Sequence, residues 1–83
     1  MRPFVIVSVV VSGIEGSLDV EIPTNIPAKK LAIDIAEQIN GYQSKTVLGM
    51  NMKLRCERLE RCLSSEETFG EAGIWSGDTI MME

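Results

Sequence analysis

The first third of the chain alternates like sheet and then switches to a helical stripe. Residues 4–11, Phe-Val-Ile-Val-Ser-Val-Val-Val, form a β-branched run too short and too Val-rich for a helix, so they predict a strand. Ser8 and Ser12 share a parity. That places Val5, Val7, Val9 and Val11 toward the core and leaves Phe4, Ile6 and Val10 on the other face. Ser12 to Gly16 is turn-rich, and Leu18, Val20 and Ile22 then alternate with Asp19 and Glu21. Two such runs joined by a short glycine loop predict a β-hairpin.

Pro23 closes the second strand. Thr24 or Asn25 is the expected helix cap, and Pro27 suits the first turn. The helix is expected to run to about Asn40 and to stop at Gly41. Ala28, Leu31, Ala32, Ile35 and Ile39 share one face, with Ile33 on the back. Tyr42 to Gly49 is expected as a loop. Met50, Met52, Leu54 and Cys56 then alternate with Asn51, Lys53, Arg55 and Glu57 as a third strand, and a short fourth lies within Leu59–Leu63.

Near the end, Ser64 or Ser65 is expected to open a helical turn over Glu66–Ala72, with Ser65-Glu66-Glu67-Thr68 as its local cap. Gly73 takes the left-handed position after it, Ile74 turns inward, Gly77-Asp78 is a turn, and Thr79–Met82 is the last strand. The order is ββαββ, a short helix, then β. One amphipathic helix covers one face of a small mixed sheet, which predicts an α+β two-layer domain spanning residues 1–83.

Composition narrows the function. Eighty-three residues make one domain, with a thin core that buries only about 60–65% of the surface exposed by the unfolded chain. The net charge of −4 argues against nucleic acid, which needs clustered Lys and Arg. Lys53, Arg55, Arg58 and Arg61 are interleaved with Glu57 and Glu60 and read as a solvated, charge-mixed face. The apolar start is too short to span a bilayer and lacks a cleavage site, so the cytoplasm is the expected location, without membrane insertion.

Catalytic and metal chemistry find little support. The chain has no histidine, and the spacing of Cys56 and Cys62 is not that of a zinc site. Both cysteines are expected reduced, Cys56 as a small core residue. There is no nucleophile elbow or phosphate loop. Glu66 and Glu67 are read as neighbours on a helix that diverge and do not share a substrate. No enzymatic activity, cofactor or metal is expected.

Three segments carry a resemblance. They are Leu18-x-Val20-x-Ile22-Pro23, the helix Pro27-x-x-x-Leu31-x-x-x-Ile35, and Ala72-Gly73-Ile74-Trp75-Ser76-Gly77-Asp78-Thr79-Ile80. In this order the chain resembles ubiquitin-like β-grasp domains, and most closely the YukD-like proteins of bacterial type VII (WXG100) secretion systems. The resemblance implies an accessory component of a secretion machine, free-standing or excised from a membrane subunit, with protein components of that machine as partners. Conjugation is not expected, because Met82-Glu83 follows the last strand where a modifier needs a flexible Gly-Gly ending. The surface patch through which ubiquitin binds partners is not matched either, since its third-strand positions are Lys53 and Arg55 here.

Surface recognition is the remaining route. The candidate contact residues are Phe4, Ile6, Val10, Ile33 and Trp75. Trp75, in a loop, is either a lid on the core or an interface anchor. The outward Phe4, Ile6 and Val10 suggest a docking surface or a homodimer seam. The alternative readings are a ubiquitin-like modifier or sulfur carrier, and a self-associating structural module.

Overall fold

The structure is a computed structural model and describes residues 3–40 and 52–83. Strand β1 (Phe4–Val11) pairs antiparallel with β2 (Leu18–Pro23), and helix α1 (Ala28–Asn40) follows. Then come β3 (Leu54–Cys56), β4 (Arg61–Cys62), the short helix α2 (Phe69–Ala72) and β5 (Thr79–Met82). The sheet order is β2-β1-β5-β3-β4, with β5 parallel to β1 and antiparallel to β3. The last strand therefore sits in the middle of the sheet. This is the β-grasp arrangement of ubiquitin-like proteins.

The alternation in β1 works as its sequence dictates. Val5, Val7, Val9 and Val11 are buried, Phe4 and Ile6 are exposed, and Ser8 and Val10 are half-buried. The helical stripe joins the valines in one core with Val20, Ile22, Leu54, Cys56, Phe69, Ile74, Ile80 and Met82. Ala36, outside the predicted stripe, is buried with it. It lies one residue from Ile35, and at 100° per residue both fit a wide apolar face.

Three expectations need correction. Thr24 and Asn25 do not flank the helix as caps. The Pro27 carbonyl accepts the first helical bonds, from Lys30 and Leu31, and the N–H groups of Ala28 and Lys29 donate to the carbonyls of Glu67 and Ser65 at 2.8 and 3.0 Å. Orphan donors at a helix start must find acceptors, and here a distant loop supplies them. Second, α2 is capped by Thr68 and not by Ser64 or Ser65. Thr68 accepts from the Glu71 N–H, and the Glu71 carboxylate accepts from the Thr68 N–H, a reciprocal capping box. Third, Glu66 and Glu67 precede that helix in a turn. Glu66 pairs with Lys29 at 2.6 Å and Glu67 with Arg61 at 2.7 Å, so they diverge toward separate cations.

Strands β3 and β4 are shorter than their alternation suggested. Met50, the loop 42–49 and the Gly41 stop lie outside the described residues. Cys62 stands opposite Arg55 in the β3–β4 ladder, and Cys56 stands opposite Arg61. Directly paired residues share a face and neighbours alternate, so the two thiols point to opposite faces. Both are free cysteines, Cys56 buried and Cys62 half-buried.

Candidate functional site

The site is built around one turn. Gly73 ends α2 in the left-handed conformation at φ 77°, and the Ile74 N–H reaches back to the Phe69 carbonyl. This drives Ile74 into the core and turns Trp75 outward, 64% exposed. Trp75 therefore does not close the core. The Asp78 N–H donates to the Trp75 carbonyl at 3.0 Å, and Gly77 takes φ 93° to complete the turn.

Asp78 holds this turn shut. Its buried carboxylate accepts from the Trp75 N–H at 2.8 Å. It also accepts two bonds from Arg58, Nε at 2.8 Å and Nη2 at 2.9 Å. The Cys56 thiol approaches it from the core side at 3.9 Å. Arg58 donates further to the Gly73 carbonyl at 2.7 Å, and its guanidinium stacks on the Trp75 ring, 3.9 Å from the centroid. Such a stack adds a cation–π attraction to the ion pair. The Arg58 hydrogen bonds hold the Asp78 carboxyl below the usual carboxylate range against the opposing effect of burial, with the Trp75 N–H assisting.

The turn is also fastened to β1. The Gly77 N–H donates to the Ile6 carbonyl at 2.8 Å, and the Ile6 N–H donates to Ser76 Oγ at 3.1 Å. Two residues flagged separately by the sequence, Ile6 and Trp75, thus belong to one end of the sheet, with Phe4 two positions along the same face. Val10 is not part of that group. Ser8 and Thr79 separate it from Ile6 along the outer face, Ser8 donating to Asp19 at 2.8 Å. Ile33, 41% exposed, lies on the helix and apart from the sheet's outer face.

Within the charge-mixed face each arginine has its own acid. Arg58 and Arg61 are offset by Asp78 and Glu67, and not by the interleaved Glu57 and Glu60; Glu57 lies 3.7 Å from Arg55. Among the described residues, no group of three or more acidic or thiol side chains converges to hold a metal ion, and no helix is long and apolar enough to cross a membrane.

The family described as WXG100 protein secretion system (Wss), protein YukD, matches residues 4–82. The chain belongs to the YukD family. It is accordingly a ubiquitin-like accessory protein of that secretion system. A comparison with the curated proteins finds no match. Among solved structures, a Caldiarchaeum subterraneum ubiquitin aligns with TM-score 0.71 at 16% identity, over 95% of this chain and 90% of that one. The ubiquitin-like domain of Plasmodium falciparum Dsk2 aligns with TM-score 0.73 at 19% identity, over 95% of each chain. A chain of the toluene 4-monooxygenase HD complex with the inhibitor 4-bromobenzoate reaches TM-score 0.77 at 16% identity, over 95% of each. At such identities the likeness is one of fold alone, which hosts unrelated functions.

The sequence missed Arg58 and Asp78 as site residues. Asp78 read as a turn residue and Arg58 as part of a solvated face. Asp three residues after Trp75 was an available signal for a side chain closing its own turn. Nothing local could pair it with an arginine twenty positions earlier.

Proposed function

We propose that this YukD-family chain is a non-catalytic adaptor that works in the cytoplasm by binding protein components of its secretion machine. The contact is made at the Trp75 turn and the neighbouring Ile6 and Phe4. The observation that carries this reading is Trp75. A large indole is held in the open by a bidentate ion pair, a stacked guanidinium and two backbone ties to β1. Rigid exposed aromatics make effective anchors because little side-chain entropy remains to be lost on binding. Ile33 and Val10 would be separate, weaker contact points. No described feature favours the modifier or sulfur-carrier reading.

The test uses the tagged full chain expressed in its native host, with quantitative mass spectrometry of co-purifying proteins. Recovery of WXG100-system components, reduced about tenfold or more by Trp75→Ala, is the expected result for a hot-spot aromatic. Unreduced recovery would remove Trp75 from the site. Failure to recover any component of the machine would sink the adaptor reading itself.

A further inference from the structure

Among the described residues, no strand flanks β2 on the side away from β1. The backbone groups that β2 leaves on this edge follow from the pairing of β1. Ile6 and Ser8 direct theirs toward β5: the Ser8 N–H donates to the Asp78 carbonyl at 3.0 Å, and the Ile6 carbonyl accepts from the Gly77 N–H at 2.8 Å. Backbone groups alternate in direction along a strand. Val5, Val7 and Val9 therefore serve β2, where they stand opposite Ile22, Val20 and Leu18. Asp19 and Glu21 are left with their N–H and C=O groups on the open edge. Pro23, next in that series, has no N–H and ends the row of donors.

The same two residues carry the charge of this edge. Both are exposed, and their side chains lie on the sheet face away from the helix, while Val20 and Ile22 are buried on the helix side. Asp19 accepts from the Ser8 hydroxyl at 2.8 Å, and Glu21 stands opposite Ile6. Among the described residues neither carboxylate has a cation partner, because the ion pairs there are Lys29–Glu66, Arg55–Glu57, Arg58–Asp78 and Arg61–Glu67. Two unneutralised acids and an unused row of backbone groups thus coincide.

We propose that this edge takes up an extended segment of a partner protein as a further antiparallel strand, with Lys or Arg opposite Asp19 and Glu21 and an apolar residue between them. At each of the two acidic positions the incoming strand exchanges both backbone bonds. Opposed residues share a face, so the two cations fall beside the two carboxylates, and the residue between them falls beside Val20 on the helix side. The charges also exclude a second copy of this chain. Two-fold pairing of β2 on β2, centred on Asp19, Val20 or Glu21, sets acid opposite acid. Like charges there are destabilising, which guards the open edge against self-pairing and leaves it to a basic strand. The edge uses neither Trp75 nor its ion pair, so it stands or falls independently of the adaptor site.

Nuclear magnetic resonance of the full chain tests this with the synthetic peptide acetyl-Thr-Lys-Val-Lys-Val-Thr-amide as the probe, and circular dichroism controls for folding. Saturating peptide should slow hydrogen exchange of the Asp19 and Glu21 amides about tenfold or more, while Val20 and Ile22, already bonded to β1, change little. Glu in place of both peptide lysines, or Asp19→Lys with Glu21→Lys in the protein, should each weaken binding about tenfold or more. Combining the two changes should restore it, because each then carries what the other needs. N-methylation of both peptide lysines should abolish it by removing the donors to the Asp19 and Glu21 carbonyls. The proposal is overturned if the two amides gain no protection, if the N-methylated peptide still binds, or if the folded charge-reversed protein fails to take up the charge-reversed peptide.

Discussion

Replacing Asp78 by asparagine keeps the shape of the side chain and removes its charge. The carboxylate accepts two bonds from Arg58 and one from the Trp75 N–H. An amide has one acceptor oxygen, which in the place of Oδ2 can keep the Arg58 Nη2 and Trp75 N–H bonds but leaves Arg58 Nε without its acceptor. Its NH₂ group would face the guanidinium, donor against donor. Hydrogen bonds to charged groups contribute about 1.5–3 kcal/mol each, but the arginine side is a third exposed and recovers hydration when released. We therefore expect Asp78→Asn to cost about 1–3 kcal/mol, a large share of the roughly 4–12 kcal/mol available to a domain of this size. A loss near 2 kcal/mol lowers Tm by roughly 8–16 °C.

Urea unfolding followed by far-UV circular dichroism measures this cost, and acid shows its origin. The folded-state pKa of Asp78 is depressed, mainly by the Arg58 hydrogen bonds. The stabilisation is therefore complete above the ordinary unfolded carboxylate value of about 3.9 and fades as pH falls through the lower folded value. Asparagine has nothing to titrate there. The stability gap between the two proteins should be constant near neutrality and close below the usual carboxylate range. A gap under about 0.5 kcal/mol at neutral pH, the level of an ordinary surface substitution, would refute the reasoning. So would a gap that persists into strong acid.

Three further outcomes follow from the same structure. Thr68→Ala should cost about 1 kcal/mol in urea unfolding, the usual value of an N-cap, and Ser65→Ala should cost clearly less. Gly73→Ala should destabilise by about 1–2 kcal/mol because a Cβ is strained at φ 77°, although no neighbouring atom lies within 4 Å of that position; a neutral result would show that the turn relaxes. In the native protein Cys62 should react with iodoacetamide well before the buried Cys56, with mass spectrometry after digestion as the readout; equal rates would mean that β3 opens readily.

Much of the fold was written locally. Val5, Val7, Val9 and Val11 declare their face because a strand repeats every two residues, and Leu31, Ile35 and Ile39 because a helix repeats every 3.6. Gly73 and Gly77 mark left-handed positions by steric necessity. Trp75, Ile6 and Phe4 could each be recognised as unusual for a surface. What the sequence could not show was their grouping. The Trp75 turn meets Ile6 only because β5 enters the sheet beside β1, a parallel pairing between residues some seventy positions apart. The antiparallel pairing of β3 with the same strand brings Arg58 to Asp78. The start of α1 likewise depends on Glu67 and Ser65, far along the chain. Periodicity reports which way a residue faces, because burial acts on each turn or pleat separately. Which elements become neighbours depends on closing long loops around a shared core, and that is a property of the whole chain.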